Sequence, residues 1–282
     1  MKKLIPDFIA ERYRQNELSG KMQAATMFLD ISGFTPMTER LMREGKEGAE
    51  VLSVIINDIF NPVIDSVYES GGFVSTFAGD AFTSIFPDVK NTCDVLKCAC
   101  EIIDIFNETG RQNTKFGEFD LFVKLGLSYG EVEWEIIGNH ENKSYCFRGD
   151  AIDSCARCEH HCEKSDIVLD DKILSIAGEE KIQTVKLNDT YHKLTGVHKS
   201  ESYLEKDMMK DRSISREILE KFVPKQIITL SQKGEFREIV SVFISFKESK
   251  DKRELNYLIG EIITNAILQG GYFNKMDFGD KG

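Results

Sequence analysis

What most constrains the fold of this chain is that it partly repeats itself, since a repeat limits architecture more strongly than local propensity does. The first copy reads LIPDFIAERYRQNELSGKMQAATMFLDIS and the second FVPKQIITLSQKGEFREIVSVFISF. Each opens on an apolar residue and a proline, Pro6 or Pro224. A helix-like segment, a small polar loop and a β-rich apolar strand follow (26–29 and 240–244). Further on, GGFVSTFAGD from Gly71 matches GGYFNKMDFGD from Gly270, and the second copy reaches Gly282 just beyond that match. A sheet does not close on its opening strands alone. The expectation is one complete domain over 1–198, a mixed-charge linker over 199–235 and the start of a second domain over 236–282. A natural truncation, a cloned fragment and an incomplete gene model would all read this way.

Within the first copy the hydrophobic spacing alternates between sheet and helix periods. Residues 24–30 read as a strand ending at a glycine turn, and 47–68 as a long helix with Pro62 as a candidate kink. Residues 72–86 read as two strands about the tight turn Ala78-Gly79-Asp80-Ala81. A helix over 92–106, a strand pair over 119–129 and 131–137, a helix over 150–162 and a late strand from 166 complete the series. Helices between paired strands of one antiparallel sheet predict an α+β protein. The order strand, helix, strand, strand, helix, strand is that of a ferredoxin-like βαββαβ core. A further helix is expected over 215–222 in the linker.

Composition narrows the classes of function. A formal net charge of -11 argues against a nucleic-acid surface and against a polybasic membrane patch. No apolar run reads as a membrane span, and Pro6, Asp7 and Glu11 break the stretch that a signal peptide would need. With no secretion signal, the 7 cysteines read as reduced thiols of a cytosolic, hence cytoplasmic, protein. An anionic substrate would then need metal ions, backbone N–H groups or a few placed cations.

Two aspartates invite that chemistry. Asp30 stands where a strand runs into Ile31-Ser32-Gly33-Phe34-Thr35, and Asp80 stands at the tip of the Gly-Asp hairpin. Gly33 permits a sharp turn and Pro36 suits the first turn of a helix, so the segment could seat a phosphate. Each aspartate taken alone also fits a plain turn or cap. Taken together, two converging carboxylates repel unless a cation lies between them. Oxygen ligands beside a phosphate suit Mg²⁺. Cys155, Cys158, His160, His161 and Cys162 offer zinc ligands by type, but their spacing also places the cysteines on one inward helix face as small apolar groups.

FLDISGFTPMTERL followed by GGFVSTFAGDAF resembles the class III adenylyl/guanylyl cyclase catalytic domain. FRGDAIDSCARCE is similar to that family's Gly-x-x-Val-Asn-x-x-x-Arg helix, and the tandem layout resembles the bicarbonate-responsive soluble adenylyl cyclases. The resemblance implies that Asp30 and Asp80, with the carbonyl of Ile31, hold two Mg²⁺ or Mn²⁺ ions. It implies that Ile31, Ser32, Gly33, Phe34 and Thr35 cradle the triphosphate of ATP, with Arg157 as the counterpart of the family arginine. A second cyclase domain is the implied partner, packed head to tail with the site shared between them. The family's base-reading lysine is replaced by Thr76 in the first copy, while the second carries Lys275 and has Ser245 in place of Asp30. Asp153 replaces the family asparagine. Metal ligands in one copy and the base-reading lysine in the other imply one active and one degenerate site. On this reading the 282-residue chain alone has little cyclase activity. The alternative is a catalytically inactive, cyclase-like module for nucleotide or anion sensing or for dimerisation.

Overall fold

The computed structural model describes residues 4–87, 92–178, 182–197, 214–229, 236–246 and 252–276. Its centre is β1 (Ser19–Ser32), whose middle is buried on both faces. Such a stretch must be close to continuously apolar, and the buried run 24–29, AATMFL, has Thr26 as its one polar residue. Ala25, Met27, Leu29 and Ile31 point to one side, into the main core formed with α2 (Phe34–Met42), α3 (Gly45–Glu69) and α4 (Thr92–Thr109). Ala24 points to the other, onto Ile9 of α1 (Asp7–Arg14) and Ala151 of α5 (Asp150–Glu159). Phe28 meets Cys155 on that same side.

The sheet runs β2 (Phe73–Ala78), β3 (Ala81–Pro87), β1, β6 (Phe122–Gly138), β8 (Ile167–Asp170), β10 (Tyr191–Val197) and β9 (Ile182–Lys186). β7 (Lys143–Arg148) pairs with the far half of β6. The spatial order β2-β3-β1-β6 is the expected ferredoxin-like arrangement, and among the described strands only β6 and β8 run parallel. The remaining elements are a hairpin of β4 (Arg111–Thr114) and β5 (Gly117–Asp120), and α6 (Asp171–Ala177).

Two expectations need correction. The strand pair over 119–129 and 131–137 is the single strand β6, laddered to β1 from Ser19↔Glu135 to Ser32↔Phe122. Gly130 sits opposite Ala24 in mid-ladder and keeps negative φ; the chain turns instead at Gly138, where φ is +125°. Residues 240–244 form no strand or helix, and Val240 and Phe243 are exposed at 92% and 96%. A strand exists through its neighbours, and none is provided among the described residues. By length and composition alone α3 could cross a membrane, its most apolar 18 residues having a mean hydropathy of 1.3. Its apolar face, from Leu52 to Val67, is packed in the main core instead. α3 also passes unbroken through Pro62.

The second copy contributes α9 (Lys252–Leu268), which packs Leu255, Ile259 and Ile263 against Ile137 and Cys146. The Gly138 N–H donates to Asn256 Oδ1 at 2.9 Å across this seam. The linker carries α7 (Arg216–Phe222), the helix expected over 215–222, which Ser215 caps, and α8 (Lys225–Ile228). Phe222 meets Tyr13 edge-on at 5.3 Å and Tyr145 at 6.2 Å. The linker stretch 199–213, residues 247–251 and the second Gly-Asp pair at 279–280 lie outside the described residues.

Candidate active site

The geometry at the end of β1 follows from register. Asp30 pairs with Ala81 of β3, so Asp80 at the hairpin tip is one residue from the position directly opposite Asp30. Directly opposed residues have Cβ atoms about 5 Å apart. Gly79 makes the tip, with φ of +70°. Both carboxylates are half-buried. Thr35 Oγ1 donates to Asp80 Oδ2 at 3.3 Å, tying the loop after β1 to the hairpin tip. Asp30, Asp80 and Thr35 therefore share one spot although 50 residues separate the aspartates.

Gly33 turns the loop into α2. Its φ is +93°, and a Cβ there would lie 2.5 Å from the Asp120 carbonyl oxygen, so both conformation and space require glycine. The first turn of α2 has no side-chain cap. Its N–H groups at Phe34 and Thr35 face the end of the helix where a phosphate is favoured. Pro36 lacks an N–H in any case. Ile31 is buried in the core by its side chain and Ser32 pairs with Phe122, so what 31–35 can offer a ligand is chiefly its backbone.

The sequence reading missed Lys124. It pairs with Asp30 across β1 and β6, so its ammonium belongs to the same face as the carboxylate. Lys124 Nζ lies 3.4 Å from Glu159 Oε1 of α5. The one local signal was its place as the polar residue in the alternating run FVKLGL. Only the register of β6 against β1 reveals the neighbour.

Lys275 of the second copy reaches the same hairpin from the other side. Its Nζ donates to the Phe77 carbonyl at 2.6 Å, three residues before Asp80. A cleft of about 1430 Å³ opens there, lined by Phe34, Phe60, Thr76, Phe77 and Lys275 among others. The two aspartates stand beside it rather than in its wall. Arg157 is exposed and held on its own helix, donating to Ser154 Oγ at 2.8 Å and lying 3.7 Å from Asp150. Lys172 also pairs with Asp150 and holds that carboxyl below the usual range.

The donor set suits a hard divalent ion. Two carboxylates and a backbone carbonyl are all oxygen, the preference of Mg²⁺ and Mn²⁺. Among the described residues no group of three or more His, Cys, Asp or Glu could hold a metal. The cysteine cluster behaves as packing. Cys158 Sγ donates to the Leu127 carbonyl and Cys162 Sγ to the Leu125 carbonyl, each at 3.3 Å. Burial pushes the Cys155 and Cys162 thiols up to about 12 and Cys158 higher still, the opposite of a thiolate ligand.

A ferredoxin-like sheet carrying an aspartate at the end of its first strand and another at the following hairpin defines the class of protein. The chain belongs to the adenylate and guanylate cyclase catalytic domain family, whose model matches residues 18–206. It is 28% identical over 306 aligned residues to adenylate cyclase type 10 of Homo sapiens, covering 91% of this chain and 18% of that protein. The chain thus spans less than a fifth of that relative. Among solved structures it resembles the guanylyl cyclase Cya2, with a TM-score of 0.54 and 22% identity over 66% of this chain and 98% of that one. It also resembles the adenylyl cyclase CyaB from P. aeruginosa, with a TM-score of 0.52 and 17% identity over 65% and 99% of the two chains. At these identities the structural likeness speaks for the fold.

Proposed function

We propose that this chain is the metal-binding half of an adenylyl cyclase site, forming cyclic AMP and pyrophosphate from ATP together with a second cyclase domain. The observation that carries the reading is the Thr35–Asp80 hydrogen bond at 3.3 Å, which joins the phosphate cradle to a carboxylate beside Asp30. In the reaction the ribose 3′-oxygen bonds to the α-phosphorus as the bond to pyrophosphate breaks. Asp30, Asp80 and the Ile31 carbonyl would hold two Mg²⁺ or Mn²⁺ ions. These supply the charge that lowers the pKa of the attacking hydroxyl and neutralises the triphosphate. Residues 31–35 orient the phosphates through backbone N–H groups, and Lys124 adds a cation on the same face. Lys275, which donates to the Phe77 carbonyl at the hairpin, would read the base. ATP is favoured over GTP by the similarity to adenylate cyclase type 10, and the free cysteines fit a cytoplasmic protein.

Replacing Asp30 or Asp80 by alanine should abolish Mn²⁺-dependent ATP binding measured by calorimetry. Binding unchanged in both variants would defeat the metal assignment. A second reading, a nucleotide-sensing module without turnover, is favoured by Thr76, by Asp153 and by Arg157 being held to Ser154 and Asp150. Cyclic AMP formation by the chain mixed with a complete cyclase domain separates the two.

A further inference from the structure

We infer that Glu159 is the counter-ion that Lys124 exchanges for the triphosphate, so that this buried carboxylate sets the affinity of the site for nucleotide. The inference rests on the cyclase reading of the Asp30 site and adds a residue to it.

The geometry begins at Gly126. A Cβ there would meet the Cys155 carbonyl oxygen at 2.1 Å and the Glu159 nitrogen at 2.4 Å. The backbone of α5 therefore lies directly on β6 at that point, and only glycine permits it. Lys124 is two residues earlier on the same face of β6, because strand side chains alternate. The close approach of α5 delivers its last residue, Glu159, beside Lys124, with Oε1 3.4 Å from Nζ. The Glu159 side chain is only 8% exposed, whereas that of Lys124 is 28% exposed. The acid is thus fixed in the protein and the ammonium is the member able to move.

A buried carboxylate is costly without a cation. Glu159 accordingly holds Lys124 at Asp30's edge of the sheet before nucleotide arrives, and it competes with phosphate for the same ammonium. Drawing Lys124 onto a phosphate oxygen leaves Glu159 less well compensated, and that loss is subtracted from nucleotide affinity. The carboxylate therefore positions the lysine and weakens binding at once. Glu159 is a positioning residue, since it touches the lysine and not the substrate.

The test uses the full 282-residue chain and Mn²⁺-ATP titrated by calorimetry at several salt concentrations. Glu159→Gln keeps the shape and removes the charge. Affinity should rise about three- to tenfold, the range of a partly buried ion pair, and the salt dependence should steepen because Lys124 is less neutralised. In a Lys124→Gln background the same substitution should change affinity by less than about twofold. Should the glutamine variant not fold, Glu159→Met, unbranched and apolar, replaces it with the same expectation. Affinity that is unchanged or weaker in a folded variant overturns the inference, as does an equal gain without Lys124. A wild-type chain that binds no Mn²⁺-ATP overturns the nucleotide-site reading and this inference together. A wild type that binds normally with an unaltered Glu159 variant overturns this inference alone.

Discussion

At the scale of the residue, the site depends on positions where no substitute fits. Gly33 is the sharpest case, because its positive φ and the Asp120 carbonyl at 2.5 Å act together. Gly33→Ala should cost about 2 kcal/mol of stability, from a strained φ and a displaced β5 end. It should also weaken Mn²⁺-ATP binding, since the cradle moves. Urea unfolding and calorimetry on the same sample check both, and an alanine variant of unchanged stability would contradict the steric argument. Gly33 and both aspartates were legible in the sequence because local rules mark a turn glycine after a strand and a Gly-Asp hairpin tip. Lys124 was not, because its meaning lies in a partner 94 positions earlier in the chain.

At the scale of the element, β6 supports the molecule along its whole length. One edge holds β1, the other holds β8 and β7, and its far end carries α9. Glu135 lies on this strand with its carboxyl buried and Oε2 lacking a hydrogen-bond partner. Burial pushes its pKa up, an effect that Lys252 and Arg148 partly offset. The sign follows from linkage. Below the ordinary glutamate range the carboxyl is neutral in both states and costs nothing. As pH rises through the raised folded value, the unfolded state sheds its proton more readily and stability is lost. Glu135→Gln should therefore stabilise the protein by about 1 kcal/mol at neutral pH and by nothing in acid. Urea midpoints at about pH 7 and about pH 3.5 would show it, and a gain of equal size at both would contradict the burial argument. The sequence reading split β6 at Gly130 because glycine marks turns in isolation. The long ladder to β1 overrides that signal, since a 14-residue strand supplies a partner on both sides of the glycine.

At the scale of the whole molecule, the second copy attaches to the first through a small seam of Ile137, Cys146, Leu255, Ile259, Ile263 and Met276. The Phe222 contacts and the Lys275 hydrogen bond add to it. The main core of the first copy is much larger and does not involve α9. Ile259→Ala should cost about 2–4 kcal/mol, as for other large-to-small core changes. The loss should fall on α9 docking and leave the sheet intact. Hydrogen exchange is expected to speed up in 255–265 while β1 and β6 stay protected, and uniform acceleration across the chain would refute this division. The exposed apolar run at 239–244 belongs to the same scale. Its sequence reads as a strand, but strand structure requires a ladder that residues outside the run must provide.

The sequence by itself determined the local conformations and the order of elements. Hydrophobic period, turn glycines and the repeated motif are properties of neighbours in the chain, and they suffice for a ferredoxin-like core with Asp30 and Asp80 at its exposed end. Tertiary structure alone decided what those aspartates meet. Thr35 meets Asp80, the register of β6 on β1 sets Lys124 across from Asp30, and the close approach of α5 over Gly126 sets Glu159 beside Lys124. The contact of Lys275 with Phe77 spans 198 positions. Such meetings depend on how whole sheets and helices pack, which no short stretch of sequence encodes.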